Sequence, residues 1–185
     1  MKRRRWQTWA GYGVLAVLVW AEVAGMRMVF EPSFAEYARE LRRADSYVGR
    51  QVPQLEFRRV NDDERLQLSD FQGQVVLLNL WATWCPPCIH EMPALEELQR
   101  THRDRGLLVV TLSNESRQQI VSFLEEHPVD TLNVYNESLA WIYDVEARPM
   151  SFIVGRDGVL LDWTEFPGDG DYASFANWVD PHLEL

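Results

Sequence analysis

Cys85 and Cys88 are the only cysteines of this 185-residue chain, and two prolines separate them. Four kinds of chemistry use a pair at this spacing: a structural disulfide, a metal site, two inert buried thiols, and dithiol–disulfide exchange. A disulfide that closes so short a loop would contribute only about 2 kcal/mol to stability. A closed zinc site normally needs a second ligand pair, whereas only His90 lies beside the cysteines in the sequence. The intervening prolines argue against burial of both thiols, so exchange is the favoured interpretation, and a metal or copper carrier remains the alternative.

The location of the pair, between an apolar run and a helical pattern, supports exchange on physical grounds. At a helix N-terminus, unpaired backbone N–H groups and the positive end of the helix dipole stabilise the thiolate of Cys85, which is the attacking species in exchange. Pro86 loses nothing there, because the first helical residues have no partner for an N–H. Cys88 lies one turn further on the same side, where it can resolve a mixed disulfide. We therefore predict that Cys85 attacks, and that Trp84 and Pro86 contact the substrate.

Hydrophobic periodicity predicts the elements that position the pair. The apolar run Val75–Leu80 predicts a strand buried on both faces, and a helical pattern continues from the cysteines to about His102. The other predicted strands are residues 55–60, 66–68, 107–112, 132–135, 151–154 and 159–163. The other predicted helices are residues 115–126, with Asn114 as the cap, 138–143 and 172–179.

This order of elements predicts an α/β fold. Alternation of strands and helices implies parallel pairing, and the closing hairpin over residues 151–163 adds antiparallel strands. We therefore expect a mixed central sheet with helices on both faces, which is similar to the order of the thioredoxin fold.

The run NLWATWCPPC, from Asn79 to Cys88, resembles the thioredoxin superfamily, and the following EMP makes it most similar to the membrane-anchored TlpA/ResA/DsbE-like branch. The resemblance implies a protein thiol-disulfide oxidoreductase that has no cofactor. It also implies a cis-proline before the third core strand, beside the cysteines and against the substrate, and Pro149 matches that position. Arg148 departs from the pattern, in which small or apolar residues are more usual. Its cation would favour a Cys85 thiolate or select acidic partners.

The resemblance also implies an acid near the second cysteine. Thioredoxin has a buried aspartate six residues before its first cysteine, but Asn79 stands at that position and cannot titrate. The TlpA/ResA-like branch instead places a glutamate three residues after the second cysteine, and Glu91 matches it. One helical turn separates Glu91 from Cys88, so we expect Glu91 to accept the Cys88 proton if burial raises its pKa. The alternative is a solvated acid in the first turns of the helix.

The N-terminal segment predicts a membrane anchor. Basic residues at positions 2–5 precede an uncharged run over residues 6–21, a pattern typical of an export signal or signal anchor. Few small residues follow that would suit cleavage, so an uncleaved anchor is favoured over a cleaved signal. We expect an anchor over residues 1–30, an amphipathic linker helix over 31–48 and a thioredoxin-like domain over 49–185. The positive-inside rule places that domain on the periplasmic side of a bacterial inner membrane.

Charge restricts the partners of the chain. A net charge of −10 argues against nucleic acid. We expect protein thiols and disulfides as substrates, a membrane dithiol carrier as electron donor, and no metal. The leading function is exported dithiol exchange as a reductant, as in cytochrome c maturation. A metal carrier and a non-catalytic interaction module are the alternatives outside this class. An oxidant or isomerase remains open within it, because the sequence does not contain the reduction potential.

Overall fold

The computed structural model describes residues 45–137 and 148–184. The predicted anchor, most of the predicted linker helix and the predicted helix over residues 138–143 lie outside these ranges. Residues 45–47 are helical and lie within the range predicted for the linker helix, which otherwise stays a prediction. Across the described ranges, no helix is both long enough and apolar enough to cross a membrane.

Seven strands of the described chain form one mixed sheet in the order β2-β1-β5-β4-β3-β6-β7. They are β1 (Glu56–Arg59), β2 (Arg65–Gln67), β3 (Val75–Leu80), β4 (Leu107–Ser113), β5 (Leu132–Tyr135), β6 (Met150–Val154) and β7 (Leu160–Thr164). β3 pairs in parallel with β4 and antiparallel with β6. All six of its residues are buried, because neighbours cover both edges and side chains pack on both faces. The predicted mixed sheet is confirmed.

Besides residues 45–47, the α-helices of the described ranges are α1 (Pro86–His102), α2 (Arg117–Glu126) and α3 (Tyr172–Leu183), and short 3-10 helices span Leu68–Phe71 and Arg103–Arg105. The start of α2 corrects one prediction, because Ser116 and not Asn114 caps this helix. The Ser116 hydroxyl accepts a hydrogen bond from the backbone N–H of Gln119, and the Gln119 side chain accepts one from the backbone N–H of Ser116. This reciprocal pair satisfies two backbone donors at once, which a cap at Asn114 would not achieve.

Alternate side chains of β3 enter different hydrophobic layers of the core. Leu78 belongs to a layer that includes Phe152 of β6. Leu77 points to the other layer, where Leu95 of α1 and Phe175 of α3 cover the sheet. This alternation fixes the register of β3, since a slip of one residue would exchange the two layers.

A third hydrophobic cluster lies where β3 ends, and we call it the cysteine cluster. Its buried members are Val60, Trp81, Ala82, Cys85, Cys88, Met92, Ile120 and Tyr135. The cluster joins the start of α1 to α2 through Ile120, so the two cysteines are packed from a helix that is distant in sequence.

The segment before β1 covers the edge strand β7. The backbone N–H of Gly49 donates to the Leu160 carbonyl at 2.8 Å, and the N–H of Leu160 donates to the Arg50 carbonyl at 2.9 Å. The Trp163 indole N–H also donates to the Asp45 carboxylate at 3.0 Å. An edge strand with unpaired backbone groups invites pairing with another chain, and this segment reduces that hazard.

Candidate active site

The cysteines follow β3 through a short loop that backbone hydrogen bonds hold at both ends. The N–H of Trp81 donates to the Leu112 carbonyl of β4, and the N–H of Cys85 donates to the Ala82 carbonyl, each at 3.1 Å. Helix α1 then begins at Pro86, with Cys85 as its N-cap residue. The pair therefore lies at a helix N-terminus, as predicted.

A disulfide joins Cys85 to Cys88. The backbone N–H of Cys88 donates to the Cys85 Sγ at 3.3 Å. An N–H aimed at this sulfur at the positive end of α1 stabilises negative charge on it when the disulfide opens.

The exposure of the cysteines corrects one expectation. We expected the prolines to prevent burial of both, yet Cys85 is 3% and Cys88 1% exposed in the disulfide form. The reason is tertiary: both cysteines belong to the buried cysteine cluster, which also contains Met92 of α1 and Ile120 of α2. Trp84 instead projects into solvent and is 68% exposed. Its predicted contact with substrate stays a prediction.

Glu91 is fully buried, one turn beyond Cys88 in α1. Its Oε1 accepts a hydrogen bond from the Asn79 side-chain amide at 2.6 Å, and the same amide nitrogen donates to the Ser151 hydroxyl at 3.0 Å. Glu91 Oε2 is buried and has no hydrogen-bond partner among the described residues. Burial raises the pKa of Glu91 to about 8, although the Asn79 hydrogen bond acts in the opposite direction. This contradicts the alternative of a solvated acid, and the role of Glu91 in proton transfer stays a prediction.

Pro149 lies at the same end of the sheet as the cysteines. Met150 pairs with Leu80, the last residue of β3, so Pro149 directly precedes that register position. The Arg148–Pro149 peptide bond is cis, as the resemblance implies. Arg148 Nη2 donates to the Asn114 side-chain oxygen at 3.0 Å. The predicted effects of Arg148 on the thiolate or on partner choice stay predictions.

Glu115 is a residue of this site that sequence reasoning missed. Its carboxylate accepts hydrogen bonds from the backbone N–H and the hydroxyl of Thr83, each at 2.7 Å. The Ser113 hydroxyl donates to the same carboxylate at 3.1 Å. The order of the strands could have indicated this contact, because β3 and β4 are parallel neighbours and the loops that follow them lie at the same edge of the sheet. Sequence periodicity alone placed Glu115 in a helix.

The described residues contain no group of three or more His, Cys, Asp and Glu side chains placed to hold a metal ion.

In sequence, the chain is similar to a thioredoxin-like protein and to thiol-disulfide oxidoreductases. The chain is 32% identical over 118 residues to the thioredoxin-like protein YneN of Bacillus subtilis, which is 62% of this chain and 69% of that protein. It is 30% identical over 120 residues to the thiol-disulfide oxidoreductase ResA of Oceanobacillus iheyensis, which is 61% of this chain and 62% of that protein. The match thus spans less than two thirds of the ResA protein's length.

Solved structures share the fold at lower identity. A thiol:disulfide interchange protein of the thioredoxin family from Chlorobium tepidum superposes with a TM-score of 0.62 at 22% identity, over 72% of this chain and 95% of that one. The thioredoxin domain of a thiol-disulfide oxidoreductase from Bacteroides vulgatus gives a TM-score of 0.62 at 21% identity, over 71% of this chain and 97% of that one. The described residues therefore have a thioredoxin-like α/β fold.

The AhpC/TSA family matches residues 48–162. This range contains the Cys85–Cys88 disulfide, Glu91 and Pro149, and it covers more than half of the chain. The chain therefore belongs to the AhpC/TSA family, with a thioredoxin-like fold, a redox cysteine pair and homologues that are thiol-disulfide oxidoreductases.

Proposed function

We propose that this chain is a thiol-disulfide oxidoreductase that reduces disulfides of other proteins. The observation that carries the proposal is the Cys85–Cys88 disulfide at the N-terminus of α1, with the buried carboxyl of Glu91 one turn beyond it. A sulfur at this position can exist as a thiolate, and a buried acid beside the second sulfur can exchange a proton with it.

In the forward direction the reduced Cys85 thiolate attacks one sulfur of the substrate disulfide. A mixed disulfide forms, and the other substrate sulfur leaves as a thiolate and takes a proton from water. The Cys88 thiol then gives its proton to Glu91 and attacks the Cys85 sulfur, which releases the second substrate thiolate. The substrate gains two electrons and, after protonation, two protons, while the enzyme dithiol becomes the disulfide.

The raised pKa of Glu91 fits the state of the protein after this step. With a pKa of about 8 in the disulfide form, Glu91 holds its proton at neutral pH. The proton that Cys88 releases is thus retained in the oxidised protein. When a donor dithiol reduces the disulfide again, Glu91 can return the proton to Cys88 as its sulfur leaves.

The direction, location and partners of the reaction belong to the same proposal. The TlpA/ResA-like resemblance supports a reductant of the cytochrome c maturation type, supplied with electrons by a membrane dithiol carrier. The basic and apolar pattern of residues 1–30 supports an anchor in a bacterial inner membrane, with the catalytic domain on its periplasmic side.

The reduction potential is the measurement that tests the direction of transfer. Equilibration of the full chain with glutathione redox buffers should give a potential well below about −200 mV for a reductant, whereas a value near about −120 mV would indicate an oxidant. The double variant Cys85→Ser/Cys88→Ser is the control for the signal. A wild-type chain that reduces no protein disulfide, and that retains stoichiometric metal after purification, would instead favour the metal carrier.

A further inference from the structure

The loop between β4 and α2 contacts both halves of the candidate site. Glu115 in this loop binds Thr83, which lies in the loop that leads to Cys85. The preceding residue, Asn114, accepts a hydrogen bond from Arg148, the residue before Pro149. Two adjacent residues therefore connect the cysteine loop, residues 81–85, and the proline loop, here Arg148 and Pro149, to a single segment.

The Glu115 contact is strong in both geometry and charge. Both carboxylate oxygens accept from Thr83 at 2.7 Å, one from its backbone N–H and one from its hydroxyl, and Ser113 donates to one of them as well. Hydrogen bonds to an ionised acceptor are roughly twice as strong as neutral ones, and a bidentate arrangement also fixes orientation. Thr83 is thereby held in one position relative to β4.

Thr83 is the middle of the loop that carries the nucleophile. The backbone bonds of Trp81 and Cys85 hold the two ends of this loop, and the Glu115 carboxylate holds the residue between them. Trp84 follows Thr83 directly and projects into solvent, so the same contact fixes the backbone from which the exposed indole extends.

We propose that Glu115 is a positioning residue for disulfide exchange. Its hydrogen bonds to Thr83, together with the Asn114–Arg148 hydrogen bond, set the distance between Cys85 and the proline loop, on which a substrate would lie. This inference rests on the proposed function, because it assigns a role within that reaction. Exchange needs three sulfur atoms in line, so a small displacement of the attacking sulfur is costly.

The charge of Glu115 should also affect the stability of the Cys85 thiolate, and this effect can be measured separately from the rate of exchange. A carboxylate close to the cysteine loop disfavours a thiolate there by like-charge repulsion. The titratable and charged groups on the surrounding elements include His90 and Glu91 in α1, Arg148, which binds Asn114, and Arg117, which donates to the carbonyls of Val60 and Asn61. Glu91 holds its proton at neutral pH in the disulfide form and then carries no charge. Removing the charge of Glu115 should therefore favour the thiolate, although removing its hydrogen bonds should slow exchange.

The test compares Glu115→Gln with a charge-matched control, Glu125→Gln, on an exposed part of α2. Glutamine keeps the shape of the side chain, but its amide nitrogen cannot accept from Thr83. We expect Glu115→Gln to reduce a protein disulfide about tenfold more slowly, as befits a nucleophile displaced by a fraction of an ångström. We expect its iodoacetamide alkylation, in the Cys88→Ser background, to shift to lower pH by about half a unit. Glu125→Gln should match the wild type in both measurements.

Thr83→Val provides a second variant that keeps the Glu115 charge and removes one hydrogen bond. We expect an intermediate loss of rate and no shift of the alkylation profile to lower pH. In the double variant with Glu115→Gln the losses should not add, because both changes break the same contact. Should Glu115→Gln fail to fold, Thr83→Val decides the matter: a wild-type rate of protein reduction for this variant would overturn the proposal.

Two negative results would have different meanings. If the wild type reduces disulfides and Glu115→Gln behaves like Glu125→Gln, the positioning role is wrong while the proposed function stands. If the wild type reduces no protein disulfide, the proposed function fails. In that case the rates of the Glu115→Gln, Thr83→Val and double variants are measured with a small aromatic disulfide as the substrate. The non-additive loss of rate, together with the shift of the alkylation profile, still decides whether Glu115 positions Cys85.

Discussion

At the scale of single residues, Glu91 combines complete burial with a neutral hydrogen-bond donor. The amide of Asn79 can stabilise the carboxylate only in part, and this is why the pKa of Glu91 rises to about 8 despite the contact. An aspartate in place of Asn79 would put two acids side by side. The asparagine instead gives the site one titratable carboxyl next to Cys88.

Glu91→Gln tests the proton transfer directly. The variant keeps the shape and an oxygen that can accept from Asn79, but it cannot gain or lose a proton. We expect reduction of the Cys85–Cys88 disulfide by dithiothreitol, corrected for the thiolate fraction of the reductant, to fall in the wild type as pH rises through about 8. The variant should be slower at neutral pH and should lack this inflection. Identical pH profiles for the two proteins would contradict the role.

The same carboxyl predicts an unusual dependence of stability on pH. The folded pKa of about 8 lies above the ordinary value of 4.5, so the folded protein keeps a proton that the unfolded chain loses. The contribution of Glu91 to stability is therefore fully present below about pH 4.5 and declines, by up to about 1.4 kcal/mol per pH unit, as pH rises to about 8.

Urea unfolding of the oxidised protein at pH 5.5 and pH 8.5 measures this contribution of Glu91 to the free energy of unfolding. We expect Glu91→Gln to gain stability relative to the wild type between the two pH values, by an amount on the order of a few kcal/mol. Glu125→Gln, an exposed acid on α2, should show no such change. A constant difference between Glu91→Gln and the wild type at both pH values would contradict the raised pKa.

At the scale of elements, local patterns predicted what local interactions determine. The uninterrupted apolar run of β3 and the helix that follows the cysteines were predictable, because burial on two faces and a proline start leave clear marks in sequence. Contacts between segments that are distant in the chain produce no such pattern in the sequence. Ile120 joins the cluster that contains the cysteines, and Glu115 accepts hydrogen bonds from Thr83, 32 residues before it in the chain. These contacts depend on the parallel pairing of β3 and β4, which periodicity alone does not reveal.

The start of α2 shows where local signals compete. Asn114 and Ser116 are both good cap residues, and in the structure Ser116 caps α2 while the Asn114 side-chain oxygen accepts a hydrogen bond from Arg148. We expect Ser116→Ala to lower the free energy of unfolding by about 1 kcal/mol through loss of the cap. Asn114→Ala leaves the α2 cap intact and should cost less. Urea titration of both variants measures the difference, and an unchanged free energy of unfolding for Ser116→Ala would contradict its role as the cap.

At the scale of the whole molecule, the pieces of the site come from separate parts of one fold. Cys85 is the N-cap residue of α1, Pro149 directly precedes β6, and the β4–α2 loop contacts the loops beside both. Because β3 lies between β4 and β6 in the sheet, its register with these two strands places all of these elements at one end of the sheet. The segment over residues 49–52 pairs with β7 at its Gly158–Leu160 end, away from the Met150 end of β6 where the site lies.

The division of labour between the two cysteines is a property of the whole protein acting on a partner, and trapping tests it. Cys85 is the N-cap residue whose sulfur accepts the Cys88 N–H, so we expect it to attack the substrate. Cys88→Ser removes the resolving thiol, and disulfide-linked complexes should accumulate on non-reducing gels because nothing releases the substrate. Cys85→Ser should trap almost none, although the two cysteines differ little in exposure. Both variants must be made in the full chain, so that complexes form where the protein resides. Equal trapping by the two variants would contradict the assignment of Cys85 as the attacking cysteine.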